Sequence, residues 1–281
     1  MPIIDAQLHA YERNSPERPW HAALTGPPEA TGAQTVEILD KAGVDGAILV
    51  SAFTMYRYDA SYAVAVRNRY PGRFALVRPV DPANPTVADV ISEWKHTPGA
   101  VGVRMLLVRS GLATDPADPG LNRVLAEAAR QSLPVNLHIA GRLDQGIALI
   151  RRHPDTQIIV DHLGLVQPHA PPVPDEPWAE LPKVLSLAQF PHVAIKVTGA
   201  CTLSRQPFPY DDIWDPVCRV IDAFGVDRCL WGTDWTRAVK FLTYQQGVDA
   251  FRLTGRISES DKAKLMGATA ARLYGWAPEQ A

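Results

Sequence analysis

Eight short apolar runs alternate with longer segments of helical periodicity, and this alternation limits the folds that are open to the chain. The apolar runs, rich in β-branched residues, span 3–9, 46–51, 74–80, 100–106, 134–139, 157–162, 192–198 and 228–233. The predicted helices lie near 34–43, 59–70, 86–96, 119–132, 143–153, 176–189, 211–224 and 240–252, with a last helix over 258–273. Continuous apolar strands joined by helices are typical of a parallel sheet covered on both faces.

Eight strands, each followed by a helix, predict a closed α/β barrel of the (β/α)₈ or TIM type. The length of 281 residues agrees with this fold, which takes roughly 250 residues, so we expect a single domain over residues 1–281. A doubly wound open sheet is the alternative. The sequence has no GxGxxG after a predicted strand and no P-loop, and this favours the barrel.

The charge balance argues against several classes of partner. The chain has 28 basic and 30 acidic residues, which gives no electrostatic case for binding nucleic acid or an anionic membrane. No apolar stretch approaches the roughly 20 residues that span a bilayer, and residues 1–5 lead into a predicted strand rather than a signal peptide. Three cysteines without CxxC spacing indicate neither a disulfide framework nor a thiolate metal site. We therefore expect a cytoplasmic protein.

Ionisable side chains stand where several predicted strands end. His9, His138 and His162 close the first, fifth and sixth strands, Asp234 follows the eighth, and Arg104 lies near the end of the fourth. Barrel enzymes build their sites at the C-terminal ends of their strands. Each of these residues taken singly is compatible with a structural role, such as a helix cap for Asp234. Their coincidence at equivalent positions favours one shared active site.

Two long loops, 10–33 and the proline-dense 167–177, follow strands and are expected on the same face of the barrel. His169 lies in the second of these loops and is expected to be exposed. Gln7 stands two residues before His9, so both side chains are expected to point to the same side of the first strand.

Six sequence segments in order resemble the amidohydrolase superfamily, and within it the branch of 2-pyrone-4,6-dicarboxylate lactonase and the sugar lactonases. The resemblance extends over nearly the whole chain and implies a (β/α)₈ hydrolase. The segments are Ile-Asp-Ala-Gln-Leu-His (4–9), Gly-Val-Arg (102–104), Val-Asp-His-Leu-Gly (160–164), Ile-Lys-Val-Thr-Gly (195–199), Trp-Gly-Thr-Asp-Trp (231–235) and Thr-Ala-Ala-Arg-Leu-Tyr-Gly (269–275).

Gln7 departs from the family pattern, in which the first strand usually ends in His-x-His, a metal-binding pair. An amide oxygen is a poor substitute for imidazole toward zinc. The fourth strand offers Arg104 rather than a residue that bridges two metals, and its charge repels a cation. We therefore expect no metal cofactor. The alternative is one divalent ion, such as Zn²⁺ or Mn²⁺, held by His9, His138 and Asp234.

Without a metal, a side chain has to activate water. Asp234 is the expected general base, because partial shielding from solvent raises the pKa of a carboxyl toward working pH. His162 and His9 are expected to polarise the scissile carbonyl where negative charge develops, with His138 as the next candidate.

Further residues are expected to bind the substrate. Arg104 suits a carboxylate, since its planar guanidinium binds one in a bidentate manner. The other candidates for substrate contact are Gln7, Tyr56, Arg109 and Arg237; for the two arginines a solvated loop charge is an equal alternative. Lys196 resembles the family's lysine on the seventh strand, and we expect it to be structural.

The combined interpretation is a hydrolase that opens the lactone ring of a carboxylated aromatic-catabolic or sugar-acid intermediate. One alternative is a metal-dependent decarboxylase of an aromatic acid, which differs by needing a bound ion. Another is a catalytically degenerate barrel that only binds a carboxylated ligand. The expected partner is a small carboxylated molecule, and the oligomeric state is left open.

Overall fold

The computed structural model describes residues 1–23, 25–108 and 112–279. Eight parallel strands pair in chain order, and the backbone N–H of Ala6 donates to the carbonyl of Trp231 at 3.1 Å, which joins the last strand to the first. The predicted (β/α)₈ barrel is confirmed. The strands are β1 Ile4–Leu8, β2 Gly46–Val50, β3 Phe74–Pro79, β4 Ala100–Leu106, β5 Val135–His138, β6 Ile158–Val160, β7 Val193–Lys196 and β8 Cys229–Leu230.

Helices surround the strands, and several begin at the caps that the sequence indicates. The side chain of Asp118 accepts a hydrogen bond from the N–H of Leu121, and that of Ser258 accepts one from Asp261. The helices are α1 Gly32–Ala42, α2 Phe53–Tyr56, α3 Ser61–Arg69, α4 Val87–Lys95, α5 Pro119–Arg130, α6 Leu143–Arg152, α7 Leu181–Ser186, α8 Trp214–Phe224, α9 Trp235–Ala238, α10 Tyr244–Arg252, α11 Glu259–Ala263 and α12 Thr269–Tyr274. Within the described ranges no helix has the length and apolar composition needed to cross a membrane.

Three predicted elements differ from the structure. The strand predicted over 228–233 is reduced to β8, because the N–H groups of Trp231 and Thr233 donate to Leu265 and to the Asp5 side chain instead of to a neighbouring strand. The helix predicted over 176–189 begins only at Leu181 and ends in a 3₁₀ turn. The helix predicted over 258–273 is interrupted by a π-helical turn over Lys264–Ala268.

An apolar layer fills the half of the barrel nearest the N-terminal ends of the strands. It combines alternate residues of the strands with Ala270 and Tyr274 of α12, so the last helix closes the N-terminal end of the barrel. Its strand members are Ile4, Ala6, Ile48, Val50, Ala75, Val77, Ile159, Ala194 and Leu230. Charged side chains such as Lys196 and Asp161 are fully buried outside this apolar cluster.

Strand β1 contains one extra residue between Asp5 and Leu8, relative to its partner β2. Such a bulge re-aims the side chains that follow it. Asp5 contacts Tyr244 of α10, whereas Gln7 contacts His9 and Lys196 of β7. The bulge therefore separates a carboxylate that faces the helices from an amide that faces the site.

Candidate active site

A cavity of about 320 Å³ opens at the C-terminal ends of the strands. This volume lies at the lower end of the range of roughly 300 to 1,000 Å³ that small-molecule sites occupy. Apolar side chains form part of its wall, among them Phe53, Met55, Leu106 and Leu165. The structure brings together on this cavity six residues predicted from the sequence: His9, Arg104, His138, His162, Asp234 and Arg237.

Asp234 is buried at the start of α9 in a left-handed backbone conformation with φ 50°. Its Oδ2 accepts a hydrogen bond from Nε of Arg237 at 2.6 Å. Its Oδ1 lies 3.3 Å from Nε2 of His9 and accepts no hydrogen bond from the described residues. The carboxylate of Asp234, a residue that lines the cavity, is thus held through Oδ2, and its buried Oδ1 is left without a donor among the described residues.

The sequence analysis expects a raised pKa for Asp234, and this prediction is wrong. Burial alone raises the pKa of this carboxyl, but the guanidinium of Arg237 together with His162 and His9 outweighs burial and holds the pKa well below its usual range. Asp234 is consequently ionised throughout the neutral range. It is always available to accept a proton, at the cost of a weaker driving force for proton transfer.

Hydrogen bonds define the tautomer of neutral His9. Its Nδ1 lies 2.7 Å from the carbonyl oxygen of Val50, which can only accept, so Nδ1 bears the proton. Nε2 then presents a lone pair, and the amide nitrogen of Gln7 donates toward it at 3.4 Å. In this state His9 has no N–H to offer to a substrate carbonyl.

Gln7 is fully buried and does not line the cavity, which corrects its predicted contact with substrate. Its Oε1 accepts a hydrogen bond from Nζ of Lys196 at 2.7 Å. Because an ammonium group only donates, this contact sets the orientation of the amide and turns its NH₂ toward His9. Gln7 therefore contacts His9 without lining the cavity.

Asp161 joins the two buried cations of the site, and the sequence reading did not identify it. Its oxygens lie 2.8 Å from Nε of Arg104 and 3.1 Å from Nζ of Lys196. Burial acts to raise the pKa of this carboxyl, but Lys196 and Arg104 together hold it far below the usual range. The sequence signal that could have identified Asp161 was its position immediately before His162 in the Val-Asp-His segment. Lys196 lies in the buried network, and its structural role stays a prediction.

His162 is locked in the same tautomer as His9, with the proton on Nδ1. Nη2 of Arg104 lies 3.3 Å from its Nε2 and can only donate, so Nε2 accepts and Nδ1 bears the proton. Nδ1 lies 2.9 Å from the hydroxyl of Thr198 and 3.7 Å from Oδ2 of Asp234. Burial lowers the pKa of His162 to about 3, which keeps the ring neutral. Thr198, also missed in the sequence, orients this ring.

His138 stacks edge-on against His162, with the ring centroids 5.0 Å apart. Burial, together with His162 and Arg104, lowers its pKa well below the ordinary value. Its Nδ1 has no hydrogen-bond partner among the described residues. His138 is therefore a neutral ring on the cavity wall that the protein does not tie to a partner through Nδ1.

The remaining predicted contacts divide into three cases. Arg237 lines the cavity, but its three nitrogens already donate to Asp234, Gln167 and the Pro168 carbonyl. Tyr56 lies outside the cavity: its hydroxyl accepts from the backbone N–H of Glu12, which corrects its predicted contact with substrate. Arg109 lies outside the described residues. His169 is exposed, as expected, and borders the cavity.

The side chains of the site do not fit a divalent ion. In residues 1–23, 25–108 and 112–279, no group of three or more His, Cys, Asp or Glu side chains is arranged to hold a metal. His9 Nε2 and Asp234 Oδ1 converge, but Gln7 presents an N–H donor there instead of a third ligand. The guanidinium of Arg237 on Asp234 adds a positive charge beside the same point.

The chain is similar in sequence and fold to several known proteins. Residues 4–276 match the family model described as amidohydrolase. The 4-sulfomuconolactone hydrolase of Hydrogenophaga intermedia is 24% identical over 253 residues, which are 89% of this chain and 80% of that protein. The L-fucono-1,5-lactonase of Burkholderia ambifaria is 27% identical over 251 residues, 83% and 79% of the two chains. A probable 2-pyrone-4,6-dicarboxylic acid hydrolase from Acinetobacter baumannii superposes with a TM-score of 0.77 at 21% identity, covering 98% of this chain and 100% of that one.

Proposed function

Because the chain belongs to the amidohydrolase family, we propose that it hydrolyses the ester bond of a lactone that bears a carboxylate. Membership in this family confirms the expected class of enzyme, a hydrolase; the substrate and the mechanism are our proposal. In this mechanism Asp234 activates water directly, and no step passes through a metal ion.

The unpaired oxygen of Asp234 is the observation that carries the proposal. Asp234 lines the cavity; Arg237 holds its Oδ2, whereas its buried Oδ1 accepts no hydrogen bond from the described residues. A buried, ionised carboxylate with one unused oxygen is suited to take a proton from water. The adjacent lone pair of His9 Nε2 is a second acceptor that orients the same water molecule.

The reaction begins when the oxygen of this water attacks the lactone carbonyl and its proton passes to Oδ1 of Asp234. Negative charge then develops on the carbonyl oxygen. The ring C–O bond breaks next, and the leaving ring oxygen takes the proton back from Asp234. Water is consumed, a hydroxy acid forms, and the carboxylate of Asp234 is restored.

The tautomers reassign the group that stabilises the oxyanion. His162, and His9 in the tautomer described above, present lone pairs at Nε2, so neither offers an N–H from that atom. His138 is the remaining neutral ring on the cavity and is the donor in our proposal. Such a donor contributes roughly 10²- to 10³-fold to turnover in hydrolases.

Arg104 is the proposed contact for the substrate carboxylate. Its Nε and Nη2 are engaged by Asp161 and His162, but Nη1 makes no hydrogen bond with the described residues. Because Asp161 holds the guanidinium in place, its free edge is pre-organised for an anion. The apolar wall around Phe53 and Leu106 suits the ring of the substrate.

The relatives support a lactone rather than an open-chain ester. Two of them are named for sulfomuconolactone and fuconolactone, and a structurally similar protein is described as a probable pyrone-dicarboxylic acid hydrolase. A panel of 4-sulfomuconolactone, L-fucono-1,5-lactone, 2-pyrone-4,6-dicarboxylate and the uncharged δ-valerolactone therefore tests the proposal by ring opening.

We expect Asp234→Asn to reduce turnover of the best lactone by roughly 10²- to 10⁴-fold, the usual contribution of a general base. Thermal shift measurements should still detect lactone binding in this variant. The matched control is Asp175→Asn, which removes a fully exposed carboxylate paired with Arg205 and should leave turnover unchanged. Equal turnover in Asp234→Asn and the parent would refute the role of Asp234.

The same assay separates the alternatives. A decarboxylase of an aromatic acid releases CO₂ and loses activity after chelation, whereas the proposed hydrolase keeps its activity in EDTA. A barrel that only binds shifts its melting temperature with the lactone but leaves the lactone intact.

A further inference from the structure

Asp5 is a buried carboxylate that the proposed mechanism does not use. It lies on β1 just before the bulge and accepts four hydrogen bonds from neutral donors. Its Oδ1 lies 3.0 Å from the backbone nitrogens of both Gln7 and Thr233. Its Oδ2 lies 2.6 Å from the Thr233 hydroxyl and 3.3 Å from the Tyr244 hydroxyl. One side chain thus binds β1, the end of β8 and α10.

These contacts lie where β1 meets the chain that follows β8, a junction called the seam below. The side chains of His9 and Asp234 meet at this seam. Gln7 and Thr233 stand immediately before Leu8-His9 and Asp234 in the chain. The N–H of Asp234 donates to the carbonyl of Gln7 at 3.0 Å, and the N–H of Trp235 donates to the Thr233 hydroxyl at 3.2 Å. Asp5 therefore fixes the backbone on both sides of the contact between His9 and Asp234.

Asp234 needs this support because of its backbone. A left-handed conformation at a residue other than glycine costs free energy and persists only where the surroundings impose it. The two hydrogen bonds from Thr233 to Asp5 end at the residue before this strained position. Each of these bonds therefore constrains the turn that carries Asp234.

We propose that Asp5 is a positioning residue whose carboxylate form holds Asp234 and His9 in the reactive arrangement. This inference rests on the proposed function. Asp5 touches neither cavity nor substrate and acts through Thr233 and Gln7. A protonated Asp5 cannot accept all four hydrogen bonds, because one of its oxygens then bears a hydrogen.

The surroundings of Asp5 contain no compensating charge among the described residues that contact it. The group facing it from α10 is the Tyr244 hydroxyl, whose pKa burial raises well above its ordinary value, so Tyr244 is neutral. The groups from β1 and from the end of β8 are the amides of Gln7 and Thr233 and the Thr233 hydroxyl. Burial consequently raises the pKa of Asp5 to about 6, against a smaller lowering by these hydrogen bonds.

The test compares the pH dependence of kcat for the parent and for Asp5→Asn, with the best lactone of the panel. The parent should lose turnover as pH falls through about 6, where Asp5 becomes protonated. Asparagine mimics the protonated acid, so kcat of Asp5→Asn should be roughly tenfold lower than that of the parent at pH 8. The pH profile of kcat in this variant should lack the acidic limb, the fall in kcat near pH 6. KM should change little, because Asp5 does not touch the substrate.

Tyr244→Phe provides a second variant should Asp5→Asn fail to fold. Removing this hydroxyl takes away a hydrogen bond that lowers the pKa of Asp5, so the acidic limb should move to higher pH. A structural role alone would change stability without moving the limb. An unchanged pH profile and an unchanged rate in Asp5→Asn would overturn the proposal.

Fluorescence separates this inference from the proposed function. Trp235 donates to Thr233 and packs edge-on against Tyr244 with the ring centroids 6.2 Å apart, so its emission reports on the seam. If no lactone is hydrolysed, the proposed function fails and fluorescence alone decides. A transition near pH 6 that Asp5→Asn lacks supports positioning by Asp5, and identical titration curves refute it.

Discussion

Asp5 and Asp161 are both fully buried aspartates in the wall of the same barrel, yet their surroundings give them opposite chemistry. Asp5, at the seam of β1 and β8, is surrounded by amide and hydroxyl donors, and burial raises its pKa to about 6. Asp161, at the end of β6, lies between Lys196 and Arg104, whose charges hold its pKa far below the ordinary value against the effect of burial.

The difference shows that burial alone does not determine what a carboxylate does. Neutral donors at Asp5 leave protonation within reach near neutral pH, whereas two cations at Asp161 keep it ionised. One region can respond to pH, and the other serves as a permanent anchor for Arg104. Asp234 belongs to the second kind, since Arg237 and the neighbouring His162 and His9 together keep it ionised.

The largest expected effect is on the stability of the protein when the anchor, Asp161 between Lys196 and Arg104, is removed. Asp161→Asn leaves the buried Lys196 and Arg104 without their counter-ion, and we expect a loss of about 3 to 5 kcal/mol in the free energy of unfolding. Urea denaturation at pH 7 measures this loss. The double variant Asp161→Asn with Lys196→Met removes one of the stranded charges and should recover part of it.

A loss smaller than about 1 kcal/mol in Asp161→Asn would place this pair among solvent-screened ion pairs and remove the contrast with Asp5.

Arg104 gives an independent check. Without Asp161 its guanidinium loses a fixed partner, so KM for a carboxylated lactone should rise, while the uncharged δ-valerolactone should be affected less.

The second effect concerns how stability depends on pH at the seam. The folded-state pKa of Asp5, about 6, exceeds the reference value of 3.8, so the folded protein binds the proton more tightly than the unfolded chain. The stability contributed by Asp5 is therefore full below pH 3.8 and is lost as pH rises through 6. The loss amounts to about 3 kcal/mol, from roughly 2 pKa units at 1.36 kcal/mol each.

Asp5→Asn lacks this titration, so its stability relative to the parent should rise between pH 4 and pH 6. Parallel stability curves for the two proteins would contradict the raised pKa. The matched substitution Asp161→Asn should show no such change between pH 4 and pH 6, and the reverse trend only in acid. The depressed pKa of Asp161 contributes stability that is present above pH 3.8 and is lost only in acid.

The barrel was predictable because its signal is local. Apolar periodicity and caps such as Asp118 and Ser258 lie within a few residues of the elements they define. The end of β8 was not predictable, because the N–H of Thr233 donates to Asp5, 228 residues away. A distant side chain took the place of a strand partner there.

The site could be predicted as a set of positions but not as a network. The rule that barrel strands end in functional groups identified His9, His162 and Asp234. It could not show that Arg104 pairs with Asp161, 57 residues away, nor that Arg237 folds back onto Asp234. The pKa of Asp234 was predicted in the wrong direction for this reason, since the direction of its shift depends on where Arg237, His162 and His9 lie around it.

The smallest expected effect comes from a matched pair of tyrosines, one in each region. Tyr274, below Lys196, donates its hydroxyl to Oδ1 of Asn136 at 2.7 Å, and its ring centre lies 5.9 Å from the ammonium. Tyr274→Phe keeps the ring and should cost about 1 kcal/mol of stability, the usual value of one neutral hydrogen bond.

Turnover and its pH profile should not change in Tyr274→Phe, because Asp161 and Lys196 keep their contacts. Tyr244→Phe removes a hydroxyl that binds a titrating carboxylate, and its pH profile should move as described above. Thermal denaturation and kcat measured from pH 5 to pH 8 compare the two variants directly. A shifted profile in Tyr274→Phe would mean that the anchor and the seam titrate as one unit, and the contrast between Asp5 and Asp161 would then fail.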